Sequence, residues 1–163
     1  MRLPILVFLV TLAGASGVRA AMPINGPVAL VTRLYKAYAW EAVIEQPDLS
    51  SSDLFEQPRN VLAQYFDKHL VELILQDREC AEKTHEVCRL DFMPMWSGQD
   101  PGATDLVIRQ TGKAKIVSVQ FRYPGNGELI TLSYQLSQTA EGWRISDIRG
   151  ASFSLLSVLG SKK

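Results

Sequence analysis

The sequence predicts an α+β fold in which N-terminal helices pack on a curved antiparallel sheet of about four strands. Two observations support this prediction. Apolar residues recur with the 3.6-residue period of amphipathic helices up to about residue 76, and they alternate with polar residues from about residue 115 onward. The strands are joined by short, turn-rich links, which indicates an antiparallel meander, and helices followed by strands are typical of α+β domains.

The first 20 residues have the pattern of a secretory signal peptide. A cationic start containing Arg2 precedes an apolar run over residues 5–13, and small residues end at Ala20. The run is too short to cross roughly 30 Å of hydrocarbon as a helix, although a retained anchor is the alternative. We therefore expect a periplasmic or secreted protein, cleaved after Ala20, with a single domain over residues 21–163 and no membrane span after signal removal.

The charge of the chain is balanced, with 17 basic and 17 acidic residues. Removal of the signal would take away Arg2 and Arg19, so the mature domain would carry 15 basic against 17 acidic residues, a net charge of about −2. Because no basic stripe remains, nucleic acid is not expected as a partner. The oligomeric state has no signature in the sequence.

The first helix is predicted over residues 26–44. Its apolar stripe includes Val31 and Leu34, and the helix ends before Pro47. The polar, turn-rich segment 47–53 is predicted to be a loop.

A second helical stretch is predicted over residues 59–76. It breaks near Phe66 and begins a fresh turn capped by Asp67, whose short side-chain oxygen suits that position. Residues 77–104 are predicted to be irregular, and a connection of this length is typical of a functional or disulfide-organised segment.

Four strands follow, and the residues between the second and third strands, 124–127, form a predicted turn. The predicted strands are 105–110, 115–123, 128–136 and 143–148. Alternation places one polar face on the central hairpin, formed by Ser118, Gln120, Arg122, Thr131, Ser133 and Gln135. This face is either an ordinary solvated surface or a wet protein interface.

The two cysteines, Cys80 and Cys88, lie eight residues apart. In an exported protein such a pair is most simply a disulfide that stiffens a short loop. The alternative is a metal site with His85, but it needs a fourth ligand and the spacing matches no standard zinc pattern. We therefore expect no metal and no cofactor.

Four phrases in a fixed order resemble a known family. They are VTRLYKAY at 31–38, YFDKHLVELI at 65–74, LDFMP at 90–94 ahead of Gln99-Asp100, and GWRISDI at 142–148. Over residues 26–160 they resemble the exported bacterial family called domain of unknown function 3828. The resemblance implies a cystatin-like roll of the nuclear transport factor 2-like superfold, an exported location and no catalytic residues to carry over.

Four acids are the nearest approach to a catalytic constellation: Asp77, Asp91, Asp100 and Asp147. They could converge at the open mouth of the sheet as an acid–base pair, or they could cap turns and end a helix. The chain has no nucleophile elbow and no acidic calcium loop. No catalytic residue is therefore assigned, and the sequence favours binding over chemistry.

The leading hypothesis is a non-enzymatic domain that binds another exported or periplasmic protein. The loop 77–100 and the polar strand face could form one surface, with candidate residues Asp91, Trp96, Gln99, Asp100, Gln120, Arg122 and Ser133. Trp96 could stand exposed as a contact anchor or fold back over the core. A specific version is an immunity-type inhibitor of a toxin directed to the periplasm.

The alternative is a small-molecule-binding or enzymatic pocket inside the roll. Its candidate lining is Tyr35, Tyr38, Phe121, Tyr134 and Trp143, with Asp147 at the edge. A filled core would count against it. A structural protein of the envelope is a third hypothesis.

Overall fold

The computed structural model describes residues 25–39, 53–113 and 115–161. The predicted signal peptide, the predicted end of the first helix beyond residue 39 and most of the predicted loop 47–53 lie outside the described residues. The predicted α+β class is confirmed, because helices pack on a curved, open antiparallel sheet.

Four α-helices and a short 3₁₀ turn occur in the described part of the chain. They are α1 (Pro27–Tyr38), the 3₁₀ turn (Leu54–Glu56), α2 (Arg59–Leu62), α3 (Lys68–Thr84) and α4 (Leu155–Gly160). The predicted break near Phe66 is confirmed, since α3 begins after Asp67, whose Oδ1 accepts from the Leu70 amide at 2.9 Å. None of the described helices has the length and apolar character needed to cross a membrane.

The predicted end of the second helical stretch at residue 76 is wrong. Helix α3 continues to Thr84 and ends where His85 adopts a left-handed conformation with φ of 55°. The extension is charged and has lost the apolar stripe, but it is rich in Glu, Arg, Ala and Lys, which favour helix without needing burial. The terminal helix α4 was not predicted, because six residues are too few to show a period.

The four predicted strands are all present and form a meander in the order β1-β2-β3-β4. They are β1 (Thr104–Gln110), β2 (Ile116–Arg122), β3 (Leu129–Thr139) and β4 (Gly142–Arg149). All three neighbouring pairs are antiparallel. The register shifts between Thr104 and Val107 and again between Gln135 and Leu136, and these irregularities bend the sheet.

One face of the sheet is the core. Its fully buried residues are Val117, Val119, Phe121, Leu132, Tyr134, Leu136, Ile145 and Ile148. Helix α1 packs on this face, where the Tyr35 and Tyr134 hydroxyls are 2.9 Å apart. The other face carries the alternate residues of these strands; on β2 and β3 they are half-buried or exposed, whereas Asp147 on β4 is buried.

Candidate functional site

The outward face of the sheet is the best candidate for a binding surface. We define the polar sheet face as Arg109, Ser118, Gln120, Arg122, Thr131, Ser133, Gln135 and Arg149. The predicted hairpin pairing is confirmed, because Ser118 lies opposite Ser133 and Gln120 opposite Thr131. Cross-strand partners share a face, so these side chains lie on one surface, together with Val107 opposite Gln120 and the exposed Leu129 opposite Arg122.

A row of four residues crosses all the strands of this face. Arg109 lies opposite Ser118, Ser118 opposite Ser133, and Ser133 opposite Arg149. With strands about 4.8 Å apart, the two arginine backbones are about 14 Å from each other. The row therefore places two guanidinium groups on either side of two hydroxyls.

The Arg149 guanidinium is oriented by a buried carboxylate. Its Nε donates to Asp147 Oδ2 at 2.6 Å, yet 56% of the Arg149 side chain remains exposed. Arg122 is also exposed, and its Nη1 donates to the Gly127 carbonyl at 2.9 Å in the β2–β3 turn. Because Asp147 is buried, the solvent-facing charge of the polar sheet face is positive, on a chain whose total charge is balanced.

The amide side chains between the arginines are held in place by hydroxyls. Gln120 Nε2 donates to Thr131 Oγ1 at 3.2 Å, and Gln135 Nε2 donates to Ser133 Oγ at 3.0 Å. Each amide retains a carbonyl oxygen and a second N–H, so the surface can both donate and accept toward a partner.

The prediction that Trp96 belongs to the interaction surface is wrong. Trp96 is only 2% exposed and packs edge-to-face with Tyr35 and Phe121, with ring centroids 5.5 Å and 5.7 Å apart. The neighbouring Met95 is also buried, and its carbonyl accepts from the Tyr35 hydroxyl at 2.9 Å. The loop folds back over the core because these apolar groups complete the space between α1 and the sheet.

The polar residues of the same loop differ from Trp96 in being exposed. Asp91, Gln99 and Asp100 are exposed, and Gln99 Nε2 donates to the Asp91 carbonyl at 3.3 Å. They belong to a segment whose Trp96 contacts the core side of β2, whereas Gln120 points to the opposite side. Trp96 therefore does not share a surface with Gln120, and a single surface formed by the exposed loop residues and the polar sheet face stays a prediction.

The residues of the predicted internal pocket are packed into the core. Tyr35, Phe121 and Tyr134 are 2% exposed or less, and the two tyrosine rings contact each other edge-to-face at 6.0 Å. Tyr38 packs on Tyr65 at 5.9 Å, and Trp143 is partly buried against the core. These side chains fill the space that the sequence hypothesis assigned to a ligand.

The two buried acids of the predicted constellation have structural partners. Asp77 accepts from the backbone amides of Arg89 and Leu90 at 2.9 and 3.2 Å, and Arg89 Nη1 lies 3.7 Å from its Oδ1. Asp147 accepts from Arg149, from Ser154 Oγ at 2.9 Å and from the Leu156 amide at 2.9 Å. These carboxylates shape the chain around α3 and α4. The expectation that Asp77 ends a helix is wrong, because α3 continues past it to Thr84.

The predicted disulfide is confirmed. Cys80 and Cys88 are bonded, with Cα atoms 6.1 Å apart, and the bond ties the last turns of α3 to the segment that returns along it. The alternative metal site needs reduced thiols, so it is wrong. Within the described ranges no group of three His, Cys, Asp or Glu side chains is arranged to hold a metal ion.

We expect the Cys80→Ala/Cys88→Ala variant to lose about 2–3 kcal/mol of unfolding free energy, the loop-entropy contribution of so short a closed loop. Urea unfolding of the oxidised protein and the variant measures this loss. The matched control is the wild-type protein reduced with a phosphine, which should reproduce the loss. Equal stability of all three forms would contradict the prediction.

Comparisons with known proteins provide no family for this chain. No protein-family model matches it, and no curated protein matches it. Among solved structures, the chain is similar to the phospholipid-binding protein from Ralstonia solanacearum in complex with a phospholipid. The identity is 14%, the match covers 83% of this chain and 69% of that chain, and the TM-score is 0.33. A likeness of this size says nothing about a ligand here, and the resemblance to domain of unknown function 3828 stays a prediction.

Proposed function

We propose that this protein is a non-enzymatic binding domain that recognises an acidic surface of another protein through its polar sheet face. The observation that carries the proposal is the row Arg109–Ser118–Ser133–Arg149 across all four strands. Arginine is enriched in protein interfaces and at their energetic centres, and hydroxyls and amides supply the hydrogen bonds of wet interfaces.

The charge of the face supports an acidic partner. Arg109, Arg122 and Arg149 are exposed, while the face's carboxylate, Asp147, is buried against Arg149. A partner with carboxylates at a matching spacing would meet complementary potential, which raises the association rate and disfavours basic competitors. The orientation of Arg149 by Asp147 lowers the entropy lost when its guanidinium is bound.

The finer form of the proposal is that binding occurs outside the cytoplasm. The disulfide is compatible with an oxidising compartment, where such bonds persist. One version is an immunity-type inhibitor that neutralises a periplasm-directed toxin. It is tested by co-expression with any such toxin encoded beside the gene: restored growth supports this version, and continued killing removes it.

The sheet-face proposal is tested by charge reversal. A tagged chain spanning residues 21–163 is used for affinity capture from an envelope extract, and the captured protein is then titrated against purified variants. We expect Arg109→Glu/Arg122→Glu to weaken binding about 100-fold, because two attractive contacts become repulsive. We also expect the wild-type affinity to fall as salt is raised.

The matched control is Lys36→Glu, which changes the charge of an exposed site on helix α1. It should bind like the wild type. Circular dichroism of each variant confirms that the fold is intact. Equal affinity of the double variant and the control would show that the polar sheet face is not the binding surface.

A further inference from the structure

A cavity beside the disulfide forms a second, separate candidate site. It has a volume of about 280 Å³ and lies between α3 and the returning segment 87–90, with Cys88 in its wall. We propose that this cavity binds an alkylammonium group, meaning an aliphatic chain that ends in a cation, such as the side chain of a basic residue presented by a peptide. This site does not depend on the polar sheet face.

The inner part of the cavity is apolar. Phe55 and Ile74 are buried core residues that line it, and the partly buried Leu90 completes this part of the wall. A volume of this size lies just below the usual range for small-molecule sites, so it has room for one aliphatic chain rather than a larger ligand.

The rim of the cavity carries an exposed apolar residue. Val87 is 63% exposed although it lies in a loop that the Cys80–Cys88 bond holds against α3. A ligand that enters the cavity would cover part of Val87 and remove its apolar surface from water, which is a favourable contribution to binding.

The charges of the lining select a cation. Asp77 is occupied by Arg89 and two backbone amides. Arg78 donates from Nη1 to the Gln57 carbonyl at 2.8 Å. Its Nε lies 3.5 Å from Glu56 Oε2, so the two charges offset each other, although this buried N–H forms no hydrogen bond within the described residues. Glu82 is exposed and forms no ion pair within the described residues. Its carboxylate is the uncompensated charge of the cavity lining.

The experiment is a titration of isotope-labelled protein, followed by amide chemical shifts, with three probes of one chain length. The probes are hexylammonium, 1-hexanol and hexanoate. We expect hexylammonium to shift the amides of residues 78–90 saturably at millimolar concentration. Hexanol should bind more weakly and hexanoate most weakly, because Glu82 attracts only the cation.

Two variants test the assignment of charge. Glu82→Gln should weaken hexylammonium about two- to fivefold, the range of one solvent-exposed ion pair, and should leave hexanol unchanged. Glu79→Gln is the control, because Glu79 is paired with Lys83 at 2.6 Å one turn earlier on α3. Reduction of the disulfide should remove the saturable shifts, since the cavity wall is then no longer fixed.

Three results would overturn the proposal. Hexanoate or hexanol binding as tightly as hexylammonium would show that charge is not recognised. If Glu82→Gln and Glu79→Gln change the affinity for hexylammonium equally, Glu82 is not the group that attracts the cation. Shifts that do not saturate, or that fall outside residues 78–90, would show that the cavity does not bind an alkylammonium group.

Discussion

Replacement of Asp147 by alanine should lower the free energy of unfolding by about 3 kcal/mol. The buried carboxylate accepts three hydrogen bonds, from Arg149 Nε, Ser154 Oγ and the Leu156 amide. Hydrogen bonds to a charged acceptor contribute more than neutral ones, and removal of the acceptor leaves partly buried donors without a partner. The loss is therefore larger than for an ordinary surface substitution.

The loss should be concentrated at the C-terminal helix. Ser154 is the N-cap of α4, and its Oγ accepts from the Ser157 amide at 3.2 Å. Asp147 accepts from this Ser154 hydroxyl and from the Leu156 amide in the first turn of the helix. Hydrogen exchange of residues 155–160 should therefore quicken before the sheet is affected.

Two further variants test whether the loss comes from the charge of Asp147 and from its buried position. Asp147→Asn keeps one acceptor oxygen but loses the charge, so it should cost about half as much as alanine. Asp100→Ala removes an exposed acid and should stay within about 0.5 kcal/mol of the wild type. If Asp147→Ala and Asp100→Ala unfold at the same urea concentration, the three bonds do not stabilise the fold.

The central hairpin could be predicted from the sequence in detail, because alternation and a short turn together determine the register. The apolar residues of β2 and β3 must all lie on the core face, so the polar residues between them face outward together. In this register Ser118 lies opposite Ser133. The turn at 124–127 then leaves no freedom to slip. The six residues of the polar sheet face that lie on this hairpin therefore follow from the sequence pattern alone.

The two arginines of that face on the edge strands were not predictable. Arg109 and Arg149 lie on edge strands that pair through irregular registers, with shifts between Thr104 and Val107 and between Gln135 and Leu136. A bulge exchanges the faces of the residues beyond it, and no local pattern indicates its position. The pairing of Ser133 with Arg149 depends on the bulge between Gln135 and Leu136, which separates this pair from the β3–β4 turn. Arg109 follows the apolar run Leu106-Val107-Ile108, which does not alternate and so gives no indication of its face.

The burial of the apolar residues in the loop before β1 was not predictable for a related reason. Met95 and Trp96 belong to no helical or strand period, so their burial depends on the space left between α1 and the sheet. A large apolar side chain in an irregular segment is equally compatible with a contact anchor and with a core residue until its neighbours are known. The same holds for Tyr35 and Tyr134, which the sequence grouped correctly but which form a filled core rather than a pocket.

That pair of tyrosines makes the fold sensitive to alkaline pH. Burial raises the pKa of both phenols above the ordinary value of about 10, and at Tyr35 the neighbouring Tyr134 adds to the rise. The folded protein therefore keeps both phenols protonated where the unfolded chain ionises them. Because the unfolded state then binds fewer protons, stability falls as pH increases.

The pH range of this effect follows from the upward direction of the two pKa shifts. Below about pH 10 neither state is ionised and the contribution of the two phenols is fully present. It is lost from about pH 10 upward, until the pH reaches the raised values of the folded protein. For two groups the loss between pH 10 and pH 11.5 is about 3 kcal/mol.

Urea unfolding followed by circular dichroism between pH 8 and pH 11.5 measures this loss. Tyr134→Phe removes one of the two groups and should roughly halve the dependence on pH, and Tyr35→Phe/Tyr134→Phe should abolish this part of it. Tyr35→Phe alone should cost more stability at pH 7 than Tyr134→Phe, because the Tyr35 hydroxyl is the group that donates to the Met95 carbonyl. The same loss between pH 10 and pH 11.5 in the wild type and the double variant would contradict the assignment of the alkaline transition to this pair.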